Sequence, residues 1–241
     1  VQQFTIQKAT LTVTADNKTK TYGDVNPELT YQVTGWVNGE NASTATGYNA
    51  PDITCNGTAT QYVNAGSYDI VAGGASANNY DFTYVNGTLT INKFPITTWS
   101  ITPTTMEVKV NETGNITVSY GTGVNGGGTN PNTDHGTVTW SSNATSKAPV
   151  SNGTVTGKAA GSATITVSIA DGTNYTFSGS KTCAVTVKLG TQRGTVIQDP
   201  DNDNYIRVYT SATSGYKIPK SDTSSRVHGA ARRSGRISLR L

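Results

Sequence analysis

The sequence is poor in the residues that carry most enzyme chemistry. Its 241 residues include two cysteines, two histidines and one methionine, and only 14% of them are charged. His135 and His228 lie far apart in sequence, and no recognisable motif places either beside a nucleophile or a second base. The cysteines and histidines are also isolated from one another, which argues against a zinc site. These scarcities predict a protein that is not an enzyme and holds no cofactor.

Long apolar runs are missing from the sequence as well. A membrane-spanning helix needs about 20 consecutive apolar residues, and no stretch approaches that length. The sequence begins at Val1 without a charged and then apolar secretion signal. We interpret it as a mature or excised part of a longer protein.

The two cysteines are expected to be separate buried thiols. Cys55 shares a strand face with Ile53, and Cys183 shares one with Val185 and Val187. Free cysteine is among the residue types most often buried. A disulfide needs Cα atoms within about 7 Å of each other, which is not expected of residues in two different domains.

Positive charge is concentrated in the last part of the chain. Residues 1–188 contain nine lysines and no arginine against eleven carboxylates, whereas residues 189–241 contain nine lysines and arginines against four aspartates. The part that is expected to fold is therefore slightly acidic. This argues against nucleic acid as a partner.

Threonine, asparagine and glycine are abundant, and they occur in the alternating patterns typical of strands. Residues 163–169 alternate apolar residues with threonine and serine, as a half-buried strand requires. Another such strand follows Asn86-Gly87, a strong hairpin signal. These patterns predict an all-β fold. The core residues expected from them are Trp140, Ile165, Val167, Leu89 and Ile91.

The motifs of the second half resemble the bacterial Ig-like domain of group 2. They are Trp-Ser-Ser at Trp140, Val-x-Asn-Gly-x-Val-x-Gly from Val150 and Ala-Gly-x-Ala-Thr-Ile-Thr-Val from Ala160. The resemblance covers residues 99–188 and implies a β-sandwich. Members of this family are mostly repeated modules of bacterial surface proteins, so the resemblance implies a setting but no active site.

The motifs of the first half resemble the MBG family, the "mostly bacterial Ig-like" modules of large secreted and surface proteins. They include Lys20-Thr-Tyr-Gly-Asp-x-Asn-Pro, Ala65-Gly-Ser-Tyr-Asp-Ile and Tyr84-Val-Asn-Gly-Thr-Leu-Thr-Ile. The opening Phe-Thr-Ile-Gln-Lys recurs as Leu-Thr-Ile-Asn-Lys from Leu89, about one module length later. Residues 1–8 therefore resemble the last strand of a preceding module.

The expected plan is two Ig-like β-sandwiches in tandem, followed by a basic tail. Residues 1–93 form the first sandwich, residues 94–98 form a short linker that contains a proline, and residues 99–188 form the second sandwich. Residues 189–241 form an Arg-rich tail that is expected to be largely irregular. One strand is expected within it, at residues 205–209.

One stretch of the tail has the alternating carboxylates of a calcium loop. Asp199, Asp201 and Asp203 are the metal candidates. The spacing then departs from the EF-hand pattern, because Asn204 stands where glycine is required and Thr210 where the bidentate glutamate is required. We interpret this stretch as an acidic turn that binds no metal.

Exposed aromatic residues would be the main sign of a binding module. Sugars stack on such rings, and two long loops, residues 38–51 and 121–136, are expected at the ends of the sandwiches. Each tryptophan also has an interpretation as a packing residue, at the joint between domains or at the end of a strand. The candidate ligand-binding residues are Trp36, Trp99, Tyr48 and Tyr62.

The sequence favours a non-catalytic structural and adhesion module that acts as a stalk or spacer, extracellular or on the bacterial cell surface. Its expected partners are neighbouring Ig-like modules of the same polypeptide. The alternative is a module that binds carbohydrate or a host ligand through end loops and exposed aromatic residues, with surface glycans or a host protein receptor as its partner. Replacing Trp140 with alanine is expected to be the severest single lesion in the second domain.

Overall fold

The computed structural model describes residues 7–124 and 128–189, together with the backbone of four later strands. Almost all of its regular structure is β-strand. The described residues contain one short helix, the 3-10 turn Asn56–Thr58. None of their helical structure has the length and apolar character needed to cross a membrane. The expectation of an all-β fold is confirmed.

Seven strands form two sheets in the first part of the chain. In chain order they are β1 (Ala9–Ala15), β2 (Lys18–Thr21), β3 (Tyr31–Thr34), β4 (Asp52–Thr54), β5 (Gly66–Gly73), β6 (Tyr80–Val85) and β7 (Gly87–Asn92). One sheet has the order β3-β1-β6, with β1 antiparallel to β3 and parallel to β6. The other has the order β2-β7-β5-β4. The two sheets make the first Ig-like sandwich.

Alternation along the strands places the apolar side chains of both sheets inside this sandwich. Leu11 and Val13 on β1 are completely buried, while the threonines between them are partly exposed. Leu89 and Ile91 on β7 are 0% and 2% exposed. Both residues therefore lie in the core, because period-two geometry puts them on one face of the strand. The hairpin that Asn86-Gly87 predicts is not formed, because β6 pairs with β1 whereas β7 pairs with β2 and β5 in the other sheet.

The long connection between residues 36 and 51 is ordered by hydrogen bonds to the segment before β6. Asn49 and Ser76 form an isolated bridge, with backbone bonds of 2.8 and 3.3 Å. The amide of Asn78 donates to the carbonyl oxygen of Thr46 at 3.0 Å. These bonds pair backbone groups that a free loop would leave to water.

Eleven further strands follow, most of them short. In chain order they are β8 (Phe94–Ile96), β9 (Ser100–Thr102), β10 (Thr105–Lys109), β11 (Thr113–Asn115), β12 (Thr117–Ser119), β13 (Val138–Ser142), β14 (Val150–Ser151), β15 (Thr154–Thr156), β16 (Gly161–Ile169), β17 (Tyr175–Phe177) and β18 (Ser180–Lys188). The main sheet has the order β10-β18-β16-β13. A smaller sheet has the order β11-β15-β14, and two strand pairs, β12-β9 and β17-β8, complete this part.

The core of this second part is built on the long strands β16 and β18. Ile165 and Val167 are completely buried, and Cys183 and Val185 on β18 are 0% and 1% exposed. Trp140 on β13 is only half-buried, which differs from its expected place at the centre of the core. The reason is its position in the strand at the edge of the main sheet, where one side has no neighbouring strand.

Both cysteines are free thiols, and their environments differ. Cys183 is buried as expected, and burial raises the pKa of its thiol. Cys55 is half-buried, because it follows the three-residue edge strand β4 and lines an open cleft of about 480 Å³ with Ser67, Tyr68 and Asp69.

Contacts in space divide the chain into two compact units. The first comprises Val1–Ser100, Val118–Thr139 and Ser168–Lys181, and the second comprises Ile101–Thr117, Trp140–Val167 and Thr182–Leu241. Within the first unit, β8 pairs in parallel with β17, with Phe94 opposite Tyr175. The segment expected to be a linker thus contains a strand. The domain boundaries given by the sequence stay a prediction.

The tail contains a four-stranded antiparallel sheet of order β21-β20-β19-β22. Its strands are β19 (Gln192–Gln198), β20 (Tyr205–Tyr209), β21 (Tyr216–Pro219) and β22 (Arg236–Leu239). Strand β20 is the one that the sequence predicts, and the other three exceed the largely irregular tail expected from composition. Asp199, Asp201 and Asp203 lie outside the described residues.

Candidate functional site

The four aromatic residues predicted as ligand contacts lie in three different environments. Trp36 and Tyr48 come together, with ring centroids 5.4 Å apart. Tyr62 instead contacts Tyr22, at 6.2 Å. Trp99 is buried, with 2% of its surface exposed. The structure therefore does not assemble these four side chains into one stacking surface.

Trp36 and Tyr48 belong to a larger aromatic group on the first sandwich. Trp36 meets Tyr48 and Tyr80 edge-to-face, with both centroid distances 5.4 Å, and Phe82 lies 6.4 Å from both Tyr48 and Tyr84. Such pairs contribute about 0.5–1.5 kcal/mol each beyond the area they bury. Trp36 and Tyr48 are half-buried, and Tyr84 is 38% exposed. These five residues, which we call the Trp36 group, thus present part of their surface to solvent.

Tyr80 fastens this group to the connection between residues 36 and 51. Its hydroxyl accepts a hydrogen bond from the amide of Val37 at 3.3 Å and donates one to Glu40 Oε2 at 2.5 Å. The hydrogen bond to Glu40 raises the pKa of Tyr80, and burial acts in the same direction. Burial likewise raises the pKa of Tyr48. The buried hydroxyl of Tyr80 therefore holds the connection in place.

Trp99 is a core residue, so its ring is not available to a ligand. Its Nε1 donates a hydrogen bond to the carbonyl oxygen of Ser178 at 3.1 Å. The Nζ of Lys181 lies 5.2 Å from the ring centroid, a cation–π distance. Sequence reasoning could not find this environment, because Trp99 lies just before β9 and outside any alternating run.

A second aromatic cluster lies within the first compact unit and joins residues distant in sequence. Tyr22 and Tyr175 are 1% and 0% exposed, and their rings meet edge-to-face at 5.7 Å. Tyr62 lies 6.2 Å from Tyr22, and Phe94 lies 6.1 Å from Tyr175. Burial raises the pKa of Tyr175. We call these four residues the Tyr22 cluster. From the sequence, Tyr22 and Gly23 are predicted only to lie in a turn, so the cluster is not predicted.

Asn174 is the polar centre beside the Tyr22 cluster, and it is 1% exposed. Its Oδ1 accepts a hydrogen bond from the amide of Ala65 at 2.9 Å, and its Nδ2 donates to Asn64 Oδ1 at 3.1 Å. Its backbone amide donates to Asp134 Oδ2 at 3.1 Å. A buried polar side chain bonded in this way fixes the position of its neighbours, because breaking any bond leaves a buried group without a partner.

Thr129 in the segment 121–136 completes this arrangement. Its amide donates to the hydroxyl of Tyr22 at 2.8 Å, and its Oγ1 donates to Asp134 Oδ2 at 2.8 Å. The hydroxyl of Tyr175 donates to its carbonyl oxygen at 2.5 Å. Residues 128–136 of this segment, which the sequence predicts to be a long loop, are thus tied to Tyr22 and Tyr175 by hydrogen bonds. A polar cavity of about 270 Å³ remains, lined by Asn64, Thr129, Thr133, Asp134, Thr173 and Asn174.

Lys20 is a buried cation beside the turn that carries Tyr22, and it is 6% exposed. Its Nζ donates to Asn26 Oδ1 at 2.7 Å and to the carbonyl oxygens of Asp24 and Gln61 at 3.2 and 3.1 Å. Burial lowers the pKa of Lys20, and the charge of Asp24 opposes that shift. Three acceptors match the three protons of an ammonium group, so Lys20 braces this turn.

The other titratable groups form no catalytic arrangement within the described residues. His135 stacks on Tyr120 at 4.1 Å, and its Nδ1 lies 2.7 Å from the carbonyl oxygen of Gly136. The neighbouring Asp134 accepts a backbone amide on each oxygen, from Thr173 and Asn174. In the part of the chain that the structure covers, no three His, Cys, Asp or Glu side chains are grouped to hold a metal ion.

Comparison with protein families identifies two domains in series. Residues 11–90 match the MBG domain of YGX type, and residues 95–177 match the bacterial Ig-like domain of group 2. The chain carries an MBG domain followed by a bacterial Ig-like domain. This confirms the tandem order predicted from the motifs. Tyr22-Gly23-Asp24 fits the YGX of the MBG description, so the residue at the centre of the Tyr22 cluster belongs to the motif of that domain.

Solved structures with a similar fold come from several kinds of protein. Domains 1–6 of surface-layer protein SbsC are 16% identical to this chain. The match covers 95% of this chain and 35% of the SbsC structure, with a TM-score of 0.34. The titin domains z1z2 in complex with telethonin are 12% identical. That match covers 77% of this chain and 95% of the titin chain, with a TM-score of 0.28. The human desmocollin-1 ectodomain is 8% identical. That match covers 97% of this chain and 53% of the desmocollin chain, with a TM-score of 0.25. Scores this low carry no argument about function.

The chain spans about a third of the length of the surface-layer structures that it matches, 35% and 36% of them. No curated protein matches the chain. The role of the chain must therefore be argued from its two domain families and from the contacts of the Trp36 group and the Tyr22 cluster.

Proposed function

We propose that this chain is a non-catalytic structural module, a stalk or spacer, of a protein secreted by a bacterium or displayed on its surface. Two domains of bacterial Ig-like type in series support this role. Such domains supply a ladder of interstrand hydrogen bonds over an apolar core. The proposed partners are neighbouring Ig-like modules of the same polypeptide, and any adhesive function is proposed with them.

The observation that carries the proposal is the Tyr22 cluster. A spacer must limit independent motion of successive domains, and a connection a few residues long does not do so alone. Tyr22 lies among the residues that match the MBG domain and Tyr175 among those that match the bacterial Ig-like domain, and within the first compact unit their two buried rings meet edge-to-face. Asn174 adds hydrogen bonds to Asn64 and Ala65. Buried rings and satisfied polar bonds resist separation better than exposed contacts do.

Nitrogen NMR relaxation of the full chain tests this role. Amides of residues 11–90 and of residues 168–177, which belong to the same compact unit, are expected to report one common rotational correlation time. Asn174→Ala removes the bonds to Asn64 and Ala65 and should shorten both times. Asn79→Ala, at an exposed position outside the Tyr22 cluster, is the matched control and should leave them unchanged. Two different, shorter correlation times in the wild-type protein would contradict the spacer mechanism.

A second candidate function, recognition of a surface glycan or host protein receptor, has support from the Trp36 group. Trp36 and Tyr48 lie together and are only partly buried, so the exposed part of their rings offers surface for stacking. A glycan array tests it with the wild-type chain and with Trp36→Ala and Tyr48→Ala. Saturable binding that both substitutions abolish supports recognition. Absence of binding by the folded wild-type protein rejects the glycan form of this function.

A further inference from the structure

The sequence contains five Asn-Gly steps, and the described ones differ in exposure and in how closely the glycine is packed. Asparagine followed by glycine can lose its side-chain amide spontaneously, because glycine leaves the following backbone nitrogen open to approach the side-chain carbonyl carbon. One step, at Asn125, lies outside the described residues. The other four begin at Asn38, Asn56, Asn86 and Asn152.

Asn38-Gly39 is the open one of these four. Both residues are exposed, and a Cβ placed on Gly39 would meet nothing within 4 Å. Their φ values are +56° and +74°, and Glu40 donates to the carbonyl oxygen of Val37 at 3.0 Å, so the pair forms the centre of a tight turn. Among the described residues, none accepts a hydrogen bond from the amide of Gly39.

The other three glycines are buried and closely packed. A Cβ on Gly57 would lie 2.9 Å from the side chains of Leu89 and Tyr68. At Gly87 the nearest atom would be the carbonyl oxygen of Ala15, at 2.6 Å, and at Gly153 that of Ile116, also at 2.6 Å. Backbone confined in this way cannot swing its nitrogen onto the preceding side chain, and water has little access to it.

We infer that Asn38 is a modification site at which the folded protein deamidates in preference to Asn56, Asn86 and Asn152. The amide nitrogen of Gly39 attacks Cγ of Asn38 and gives up its proton, the Cγ–Nδ2 bond breaks, and ammonia leaves with that proton. The product is a five-membered succinimide. Water then adds to one of its two carbonyl groups and opens the ring, giving aspartate or isoaspartate at position 38. No oxidation or reduction takes place.

The position of this turn gives the modification a structural consequence. Val37 and Glu40, on either side of the pair, both bond the hydroxyl of Tyr80. A new carboxylate at position 38 adds negative charge beside Glu40. An isoaspartate also lengthens the backbone by one carbon, which disturbs the bond between Glu40 and Val37. Deamidation should therefore loosen the connection between residues 36 and 51 from the Trp36 group.

The experiment is peptide mapping by mass spectrometry of the full chain after timed incubation of the native protein. Asn38 should convert to acid several times faster than Asn56, Asn86 and Asn152, and faster at mildly alkaline than at mildly acidic pH. Conversion of any of those three at an equal or higher rate would overturn the inference. A repeat in denaturant separates sequence from structure, because the four sites should then react at similar rates.

Matched variants complete the test. Asn38→Gln keeps the amide but disfavours the five-membered ring, so the acid at position 38 should disappear from the map while the other sites keep their rates. Backbone hydrogen exchange in residues 36–51 should become faster in the aged wild-type protein and not in aged Asn38→Gln. Equal exchange in the two aged proteins would refute the proposed loosening.

Discussion

Among single residues, the tryptophans differ in how much of each ring the protein covers. Trp99 is 2% exposed and donates a hydrogen bond through Nε1, whereas Trp140 is half-buried. Replacing a fully buried tryptophan with alanine costs about 3–5 kcal/mol. Trp99→Ala should therefore reduce the free energy of unfolding by about that amount, and Trp140→Ala should reduce it by less. Urea titration followed by circular dichroism measures both.

Trp99→Phe is the control for this comparison. It keeps most of the apolar volume and removes the hydrogen bond to Ser178, so it should lose much less stability than the alanine variant. A larger loss for Trp140→Ala than for Trp99→Ala would restore the expectation that the sequence gives, in which Trp140 is the critical residue.

Lys20 provides a prediction about pH. Burial lowers its pKa in the folded protein below the model-peptide value of 10.5, so in the interval below 10.5 the unfolded chain binds more protons than the folded one. The stability contribution of Lys20 therefore rises with pH across that interval and is lost as pH falls through the folded pKa. The difference in unfolding free energy between wild type and Lys20→Met should shift in favour of the wild type there. A pH-independent difference would contradict the prediction.

Sequence patterns could predict the residues whose burial follows from period-two alternation. Leu89, Ile91, Ile165 and Val167 are all buried, because strand geometry alone decides which face they occupy. Trp99 could not be placed in the same way, since its burial depends on segments far away in sequence. The same holds for Lys20, whose acceptor at Gln61 lies 41 residues along the chain.

Among the elements, the connection between residues 36 and 51 is held in part by the hydroxyl of Tyr80, in addition to its backbone bonds to Ser76 and Asn78. Tyr80 bonds Val37 and Glu40 through it, while its ring packs on Trp36. Tyr80→Phe keeps the ring and removes these bonds. Hydrogen exchange should therefore become faster for amides of residues 36–51 and stay unchanged for those of β1 and β7.

Thr83→Val is the control for the Tyr80 variant, because it changes an exposed side chain on the same strand β6. It should leave exchange in residues 36–51 at the wild-type rate. Equal protection of that segment in Tyr80→Phe would mean that the bridge between Asn49 and Ser76 is sufficient to hold it.

Strand positions could be predicted better than strand partners. Alternation and Asn-Gly turns mark β1, β7 and β16, but no local pattern indicates that β8 pairs in parallel with β17. Parallel pairing joins segments separated by long connections, so its register is decided by tertiary packing. The residues 94–96 that form β8 were for this reason expected to be part of a linker.

At the scale of the whole molecule, the contacts of Tyr22 allow a prediction about hydrogen exchange in its variants. Its ring belongs to the MBG domain but packs on Tyr175 of the Ig-like domain, and its hydroxyl accepts a bond from Thr129. Loss of a buried aromatic ring costs about 3–5 kcal/mol of unfolding free energy. Here the lost contacts include those of the Tyr175 ring as well as those around Tyr22. Tyr22→Ala should therefore increase hydrogen exchange in strands of residues 11–90 and also in β8 and β17, which lie in the same compact unit. Tyr22→Phe keeps the ring and removes the two hydrogen bonds between this hydroxyl and Thr129, each worth about 1 kcal/mol, so it should have a smaller effect in the same places.

Val25→Ala is the control for unfolding, since Val25 is 82% exposed in the turn that follows Tyr22. It should leave exchange in both domains unchanged. If Tyr22→Ala increased exchange in residues 11–90 alone, the ring would serve the stability of its own domain, and the two domains would unfold independently. Increased exchange in both would mean that a residue of the YGX motif contributes to the stability of the following domain.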